Sequence, residues 1–158
     1  MGDEDLYGNI FSSLIDGIVV VSRKLEILRG NPAVEEMFRE SLDSFRGKPI
    51  GSFFPRQPAV LEKMEKVFSA GVSYRDLECV GFRKSNHSSF PVNITISPFV
   101  DAENRVQSVV LLVKDMSLLK ELQETSRQMD RMASLGVLAI GMAHEIKNPL
   151  VSIGGSAQ

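Results

Sequence analysis

From Leu118 onward, the positions Leu118, Leu122, Thr125, Met129, Met132, Gly136, Ala139, Ala143 and Ile146 fall at alternating spacings of four and three. That is the heptad period, which lays one stripe along a helix and requires a second helix to cover it under left-handed supercoiling. A single helix of this length is marginal in water without such burial, so a parallel homodimer through this segment is expected. Thr125 and the small residues make the stripe imperfect. A shifted series through Leu119, Leu122, Ser126, Met129, Ala133, Gly136, Ile140 and Ala143 fits almost as well, which leaves the register open. The plainer alternative is a solvated single helix with Lys120, Glu121, Glu124, Arg127 and Asp130 on its wet face. Beyond Met132 the stripe widens. At about one hundred degrees per residue, Leu135, Met142, Ile146 and Ile153 gather opposite His144, flanked by Leu138 and Ala139. Such a stripe suits a four-helix bundle and points His144 away from its core.

The preceding residues carry a different signal. A chain of 158 residues has room for one ordinary domain and an appendage, and residues from about Asn9 to Asp115 mix strand and helix patterns. Ile18 to Val21 and Leu25 to Leu28 are short apolar runs about the turn Ser22-Arg23-Lys24, expected as a hairpin. Asn31-Pro32 has the form of a helix start, Asn as cap and Pro at the first helical position, followed by Val34, Met37 and Phe38. Lys48 to Pro58 is loop-like. Ala59 to Ala70 sets Val60, Leu61, Met64, Val67 and Phe68 on one helical side, and Gly71 ends it. Phe90, Val92, Ile94 and Ile96 then alternate with polar or small partners, the pattern of a half-buried antiparallel strand. Val106 to Val113 is nearly continuously apolar, as a central strand requires.

Two strands, short helices and three more strands, with Asn31-Pro32-Ala33 after the second strand and Asp115-Met116-Ser117 after the last, resemble a PAS sensory domain. The resemblance implies an α+β fold in which five antiparallel strands carry helices on one face, here followed by a long C-terminal coiled-coil helix. The terminal tripeptide is similar to that family's Asp-x-Thr signature, with Ser117 for Thr, which marks Asp115 and Ser117 as signal-transmission residues. Ser117 is expected to cap the next helix through its hydroxyl, and Asp115 to place negative charge at the positive helix start. The expected division is a lead-in over 1–8, the sensor over 9–116, a signalling linker helix over 117–134, and the truncated first helix of a phosphotransfer domain over 135–158.

That last assignment rests on His144-Glu145-Ile146-Lys147-Asn148-Pro149-Leu150, preceded by Met132-Ala133-Ser134-Leu135-Gly136. Together they closely resemble the phosphoacceptor box of sensor histidine kinases, of the nitrogen-regulation type. An imidazole offers a neutral, nucleophilic nitrogen near pH 7. The resemblance implies that His144 accepts the γ-phosphoryl group of ATP and that Glu145 is its acid/base partner. It also implies that Asn148, one turn on, is the candidate for positioning the water that hydrolyses a partner's phospho-aspartate. Pro149 lacks the amide proton that would pair with the Glu145 carbonyl, so a helix kink is expected there. Val137, Ile140 and Val151 share the histidine side and offer a landing surface for a catalytic domain or response regulator.

Composition narrows the alternatives. A net charge of -2 gives no basic excess for nucleic acid or an anionic membrane. The single cysteine, Cys79, excludes an internal disulfide and a cysteine-cluster metal site. No signal peptide or membrane segment is evident, so a cytoplasmic location is expected, with an upstream anchor in a longer parent left open. Gly136 to Gly141 lacks the Lys and Ser/Thr of a phosphate loop. ATP and magnesium are therefore expected on a separate catalytic domain, with no cofactor or metal in this chain and its PAS ligand unknown. The chain stops at Gln158 inside a helical segment and is expected to be a fragment, inactive alone. Its partners would be a second copy, a histidine kinase ATP-binding domain and a response regulator receiver domain. The competing function is a non-catalytic PAS dimerisation module with a vestigial histidine box.

Overall fold

The computed structural model describes the backbone of residues 2–154 and the side chains of residues 2–137. The elements run α1 (Asp3–Ser13), β1 (Gly17–Val21), β2 (Ile27–Gly30), α2 (Pro32–Phe38), α3 (Leu42–Phe45), a 3-10 turn at Ile50–Ser52, α4 (Pro58–Ala70), β3 (Tyr74–Arg83), β4 (Ser88–Val100), β5 (Val106–Asp115) and α5 (Ser117–Gly154). They fall into two compact units, Met1–Ser117 and Leu118–Gln158.

The first unit is built on one antiparallel sheet of five strands in the order β2-β1-β5-β4-β3. The apolar run in β5 occupies the middle, as its composition requires. On β4, Phe90, Val92, Ile94 and Ile96 all face the core, while their neighbours Pro91, Asn93, Thr95 and Ser97 are only partly covered. Helices α2 and α4 supply Val34, Phe38, Val60, Met64 and Val67 to the same interior. At the end of α4, Gly71 adopts φ +66 and returns its amide to the Val67 carbonyl at 2.9 Å. A side chain would be strained in that left-handed turn.

Asn31 does more than cap α2. Fully buried, it accepts from the amides of Ile18 (2.9 Å) and Val34 (3.4 Å) and donates to the Asp16 carbonyl (2.9 Å). One side chain thus ties the entry of β1 to the start of α2. Asn31→Ala leaves the half-buried Ile18 amide and Asp16 carbonyl without these partners, and should cost about 1–3 kcal/mol. Urea unfolding followed by circular dichroism reads this as a lowered midpoint at unchanged slope.

One local expectation needs correction. The second strand is Ile27–Gly30, not Leu25–Leu28. Leu25 sits at φ +61 in the turn, its amide bonded to the Ser22 carbonyl, and packs against the core from there. Its apolarity reflects packing rather than strand pairing. The short α3 lacked a periodic signature because it has only four residues; the Ser41 hydroxyl caps it and Phe45 anchors it. Residues 3–8 of the expected lead-in are helical, in α1, which runs on to Ser13 with Asp3, Glu4 and Asp5 in its first turn.

The second unit is α5 from Leu118 onward. Leu118, Leu122, Met129 and Met132 of the heptad series are 58–71% exposed, so among the described residues this part of the apolar stripe is uncovered.

Candidate functional site

The end of β5 is where the sheet hands the chain to α5. Asp115 accepts from the Ser117 amide at 2.9 Å and from the Ser117 hydroxyl at 2.5 Å, both through Oδ1. The capping therefore runs opposite to expectation: the carboxylate satisfies the helix-start amide, and the serine hydroxyl is a donor. A carboxylate is the stronger acceptor and also meets the positive end of the helix, which explains why it takes both bonds. The Met116 amide reaches back to the Pro91 carbonyl at 2.9 Å, fastening the turn to β4.

A residue absent from the sequence reading completes this corner. Arg83, the last residue of β3, donates through Nε to the Met37 carbonyl at 2.7 Å. Its Nη2 reaches Asp115 Oδ2 at 3.5 Å, and the guanidinium lies 3.9 Å from the centre of the Phe90 ring. The two oxygens of Asp115 are thus divided between the start of α5 and an arginine seated on the core. Arg83 and Asp115 are 32 residues apart, and only the β3-β4-β5 register brings them together. Nothing in the local pattern around Arg83-Lys84 distinguishes it from an ordinary polar turn.

Beneath Arg83 lies an aromatic cluster. Phe38 stacks on Phe53 with centroids 3.9 Å apart and meets Phe90 edge-on at 5.2 Å, while Phe54 and Phe45 close the periphery. Gly81 permits this packing, because a Cβ there would stand 2.8 Å from the Phe90 ring. Beside the same corner, an open groove of about 500 Å³ is lined by Ile15, Asp16, Met37, Arg39, Arg83 and Asp115, among others. A movement of α2 or Phe90 would load directly on Arg83 and through it on Asp115.

His144, Glu145, Asn148 and Pro149 fall within the range of α5, which is assigned as helix through Pro149 to Gly154, but their side chains lie outside the described residues. Along an α-helix, the twenty-six residue steps from Leu118 to His144 span about 40 Å. Val137, on the histidine side, is 71% exposed. His87 lies in the exposed β3-β4 turn, 6.3 Å from the Phe82 ring. Among the described residues, no cluster of three or more His, Cys, Asp or Glu is placed to hold a metal ion, and no helix is long and apolar enough to cross a membrane.

Cys79 faces the core from β3, and burial pushes its thiol up from the ordinary 9.0 to about 11. At pH 8 the folded protein then carries about a hundredfold less thiolate than the unfolded chain, and alkylation should slow in proportion. Because the folded value is the higher one, the contribution to stability is complete below pH 9 and fades as pH rises toward 11. Alkylation rates with and without urea check the first statement.

Residues 11–121 match the family model described as the PAS fold. Among curated relatives, the chain is 26% identical over 152 residues to the signal transduction histidine-protein kinase AtoS of Escherichia coli K12, covering 94% of this chain and 24% of that protein. It is 26% identical over 151 residues to the sensory histidine kinase/phosphatase NtrB of Escherichia coli O157:H7, covering 96% and 41%. To the sensor protein kinase PilS of Pseudomonas aeruginosa it is 29% identical over 157 residues, covering 98% and 26%. The chain therefore spans about a quarter to two-fifths of these relatives. Among solved structures, a PAS domain from Colwellia psychrerythraea superposes with a TM-score of 0.66 at 13% identity, covering 73% of this chain and 98% of that one. The PAS domain of nitrogen regulation protein NR(II) from Vibrio parahaemolyticus gives 0.58 at 17% identity, covering 70% and 97%. At these identities the structural matches speak for the fold alone. The sequence matches extend further, since 94–98% of the chain cannot be covered without much of α5 beyond residue 121.

Proposed function

We propose, since this chain belongs to the PAS-fold family, that it is the sensory and phosphoacceptor portion of a two-component sensor histidine kinase. The carrying observation is one helix, Ser117–Gly154, that starts at the last strand of the sensor sheet and contains the box His144 to Leu150. Its support is the likeness to sensor kinases, which takes in that helix as well as the sheet.

In this reading a neutral ring nitrogen of His144 attacks the γ-phosphorus of ATP held with magnesium on a separate catalytic domain. An N–P bond forms, the P–O bond to ADP breaks, and Glu145 takes up or orients the proton on the other ring nitrogen. The phosphoryl group then passes to an aspartate of a response regulator, regenerating the imidazole. Asn148 positions the water that later cleaves the resulting acyl phosphate. Two copies of α5 pair along Leu118, Leu122, Met129 and Met132, which buries the stripe that is exposed in one chain. Asp115 and Ser117 transmit the sensor's state to the start of that pair, and the two competing registers are the states between which it moves.

The test supplies the chain, extended through the second helix of the phosphotransfer hairpin, with a sensor kinase ATP-binding domain and γ-labelled ATP. Label that is stable to alkali and lost in acid is expected, as a phosphoramidate requires. No label under conditions where a known sensor kinase is labelled would identify the competing non-catalytic PAS module instead.

A further inference from the structure

We propose, resting on the reading of α5 as half of a helix pair that carries the phosphoacceptor, that Thr125 and Ser126 select between two packings of that pair, and that His144 is labelled in the packing through Thr125. Between Leu118 and Ala143 the two heptad series share Leu122, Met129, Gly136 and Ala143. They differ at Leu118, Thr125, Met132 and Ala139 in the first and at Leu119, Ser126, Ala133 and Ile140 in the second. These sets nearly balance: leucine stands against leucine, hydroxyl against hydroxyl, and methionine with alanine against alanine with isoleucine. Leu118, Leu119, Leu122, Met129 and Met132 are 46–71% exposed, so apolar surface is available to either series. Across a parallel pair the first series sets Glu121 beside Ser126 and the second sets Thr125 beside Asp130, so like charges oppose neither.

The balance ends at the histidine box. Continued at the same spacing, the first series takes Ile146, Leu150 and Ile153, whereas the second takes Lys147. A lysine at a seam position costs stability, because its charge must give up water against an apolar neighbour. The backbone is one helix from Ser117 to Gly154, so a phase set in the linker carries into the box.

The phase also fixes the register position of His144. At 3.5 residues per turn each step is about 103°, and exchanging one series for the other rotates each helix by about 50°. With the heptad written a to g and the seam at a and d, His144 takes position b in the first series, about 130° from the seam. In the second it takes position e, about 80° away and flanking the partner helix. A bulky phosphoryl donor needs the outer position. Thr125 and Ser126 hold the choice because each places a hydroxyl in the seam of one series only, and a polar seam residue sets register at a cost in stability. Removing that cost favours the series to which the residue belongs.

The test uses the extended chain with the ATP-binding domain supplied, unaltered or carrying Thr125→Leu or Ser126→Leu. Met132→Cys or Ala133→Cys, added to each form, reports the phase by disulfide formation within the pair. Cys79 is common to every form, and the chain without an added cysteine gives its background. Ser126→Leu should crosslink faster through position 133 than through 132 and lower the rate of His144 labelling at least fivefold. Thr125→Leu should crosslink faster through 132 and label at least as fast as the unaltered chain. Equal labelling of the two leucine variants despite exchanged crosslinks, or crosslinks that do not exchange, would overturn the proposal while leaving the phosphoacceptor reading in place. No crosslink at either position in any form would refute the pairing of α5, and no label on the unaltered chain would refute the phosphoacceptor, each taking the proposal with it.

Discussion

Replacing His144 by glutamine should remove acid-labile phosphate label by at least a hundredfold while leaving the sheet and its unfolding midpoint unaltered. Glutamine keeps length and polarity but has no nitrogen lone pair comparable to that of imidazole, so the attacking atom is lost and little else. His87→Gln, in the exposed β3-β4 turn, should retain full labelling. Glu145→Gln leaves the nucleophile but removes the proton acceptor, and should slow labelling by about 10²–10⁴-fold, the usual worth of a positioned acid/base group. Asn148→Ala should preserve labelling and diminish the loss of phosphate from the response regulator. Retained label in the His144 variant would separate the histidine box from the chemistry. Loss of the sheet's circular dichroism signal would show a folding defect in its place.

The second large effect concerns stability. Phe38→Ala should cost about 3–5 kcal/mol, the range for deleting a buried aromatic side chain. Phe38 is 1% exposed and touches Phe53, Phe54 and Phe90, so three rings lose a face at once and the site cannot collapse without moving α2. The variant is expected to unfold at a sharply lower urea concentration, and the marginal stability of ordinary domains leaves little in reserve. Because Phe90 also carries the Arg83 guanidinium, the surviving folded fraction should lose order at the Asp115 turn, read as faster exchange of the Ser117 amide. A cost under 1 kcal/mol would mean that the aromatic cluster is not what holds α2 to the sheet.

How much of this was legible before the structure depends on how local each signal is. Asn31-Pro32 and Gly71 mark helix ends through effects confined to one turn, and both act where expected. The alternation through Phe90 and Ile96 and the apolar run of β5 carry their burial on the strand itself. Leu25 misled because an apolar residue in a turn looks the same as one in a strand. The three-way bonding of Asn31 and the bridge from Arg83 to Asp115 were not legible. Each joins residues brought together by sheet register, and no spacing in one segment records that. The histidine box is the opposite case: about twenty consecutive residues carry it, so the proposal for His144 stands on sequence pattern and on likeness to sensor kinases. The heptad stripe was legible as a period but not as a register, since two series fit it.

The most direct measurement locates the phosphoryl group. After labelling with the ATP-binding domain supplied, tryptic digestion at alkaline pH releases Met132–Lys147, whose one histidine is His144, and fragmentation assigns the modified residue. The added mass of one phosphoryl group on His144 is the predicted result. The same mass on Ser134, or on His87 in the segment Ser85–Arg105, would contradict the account.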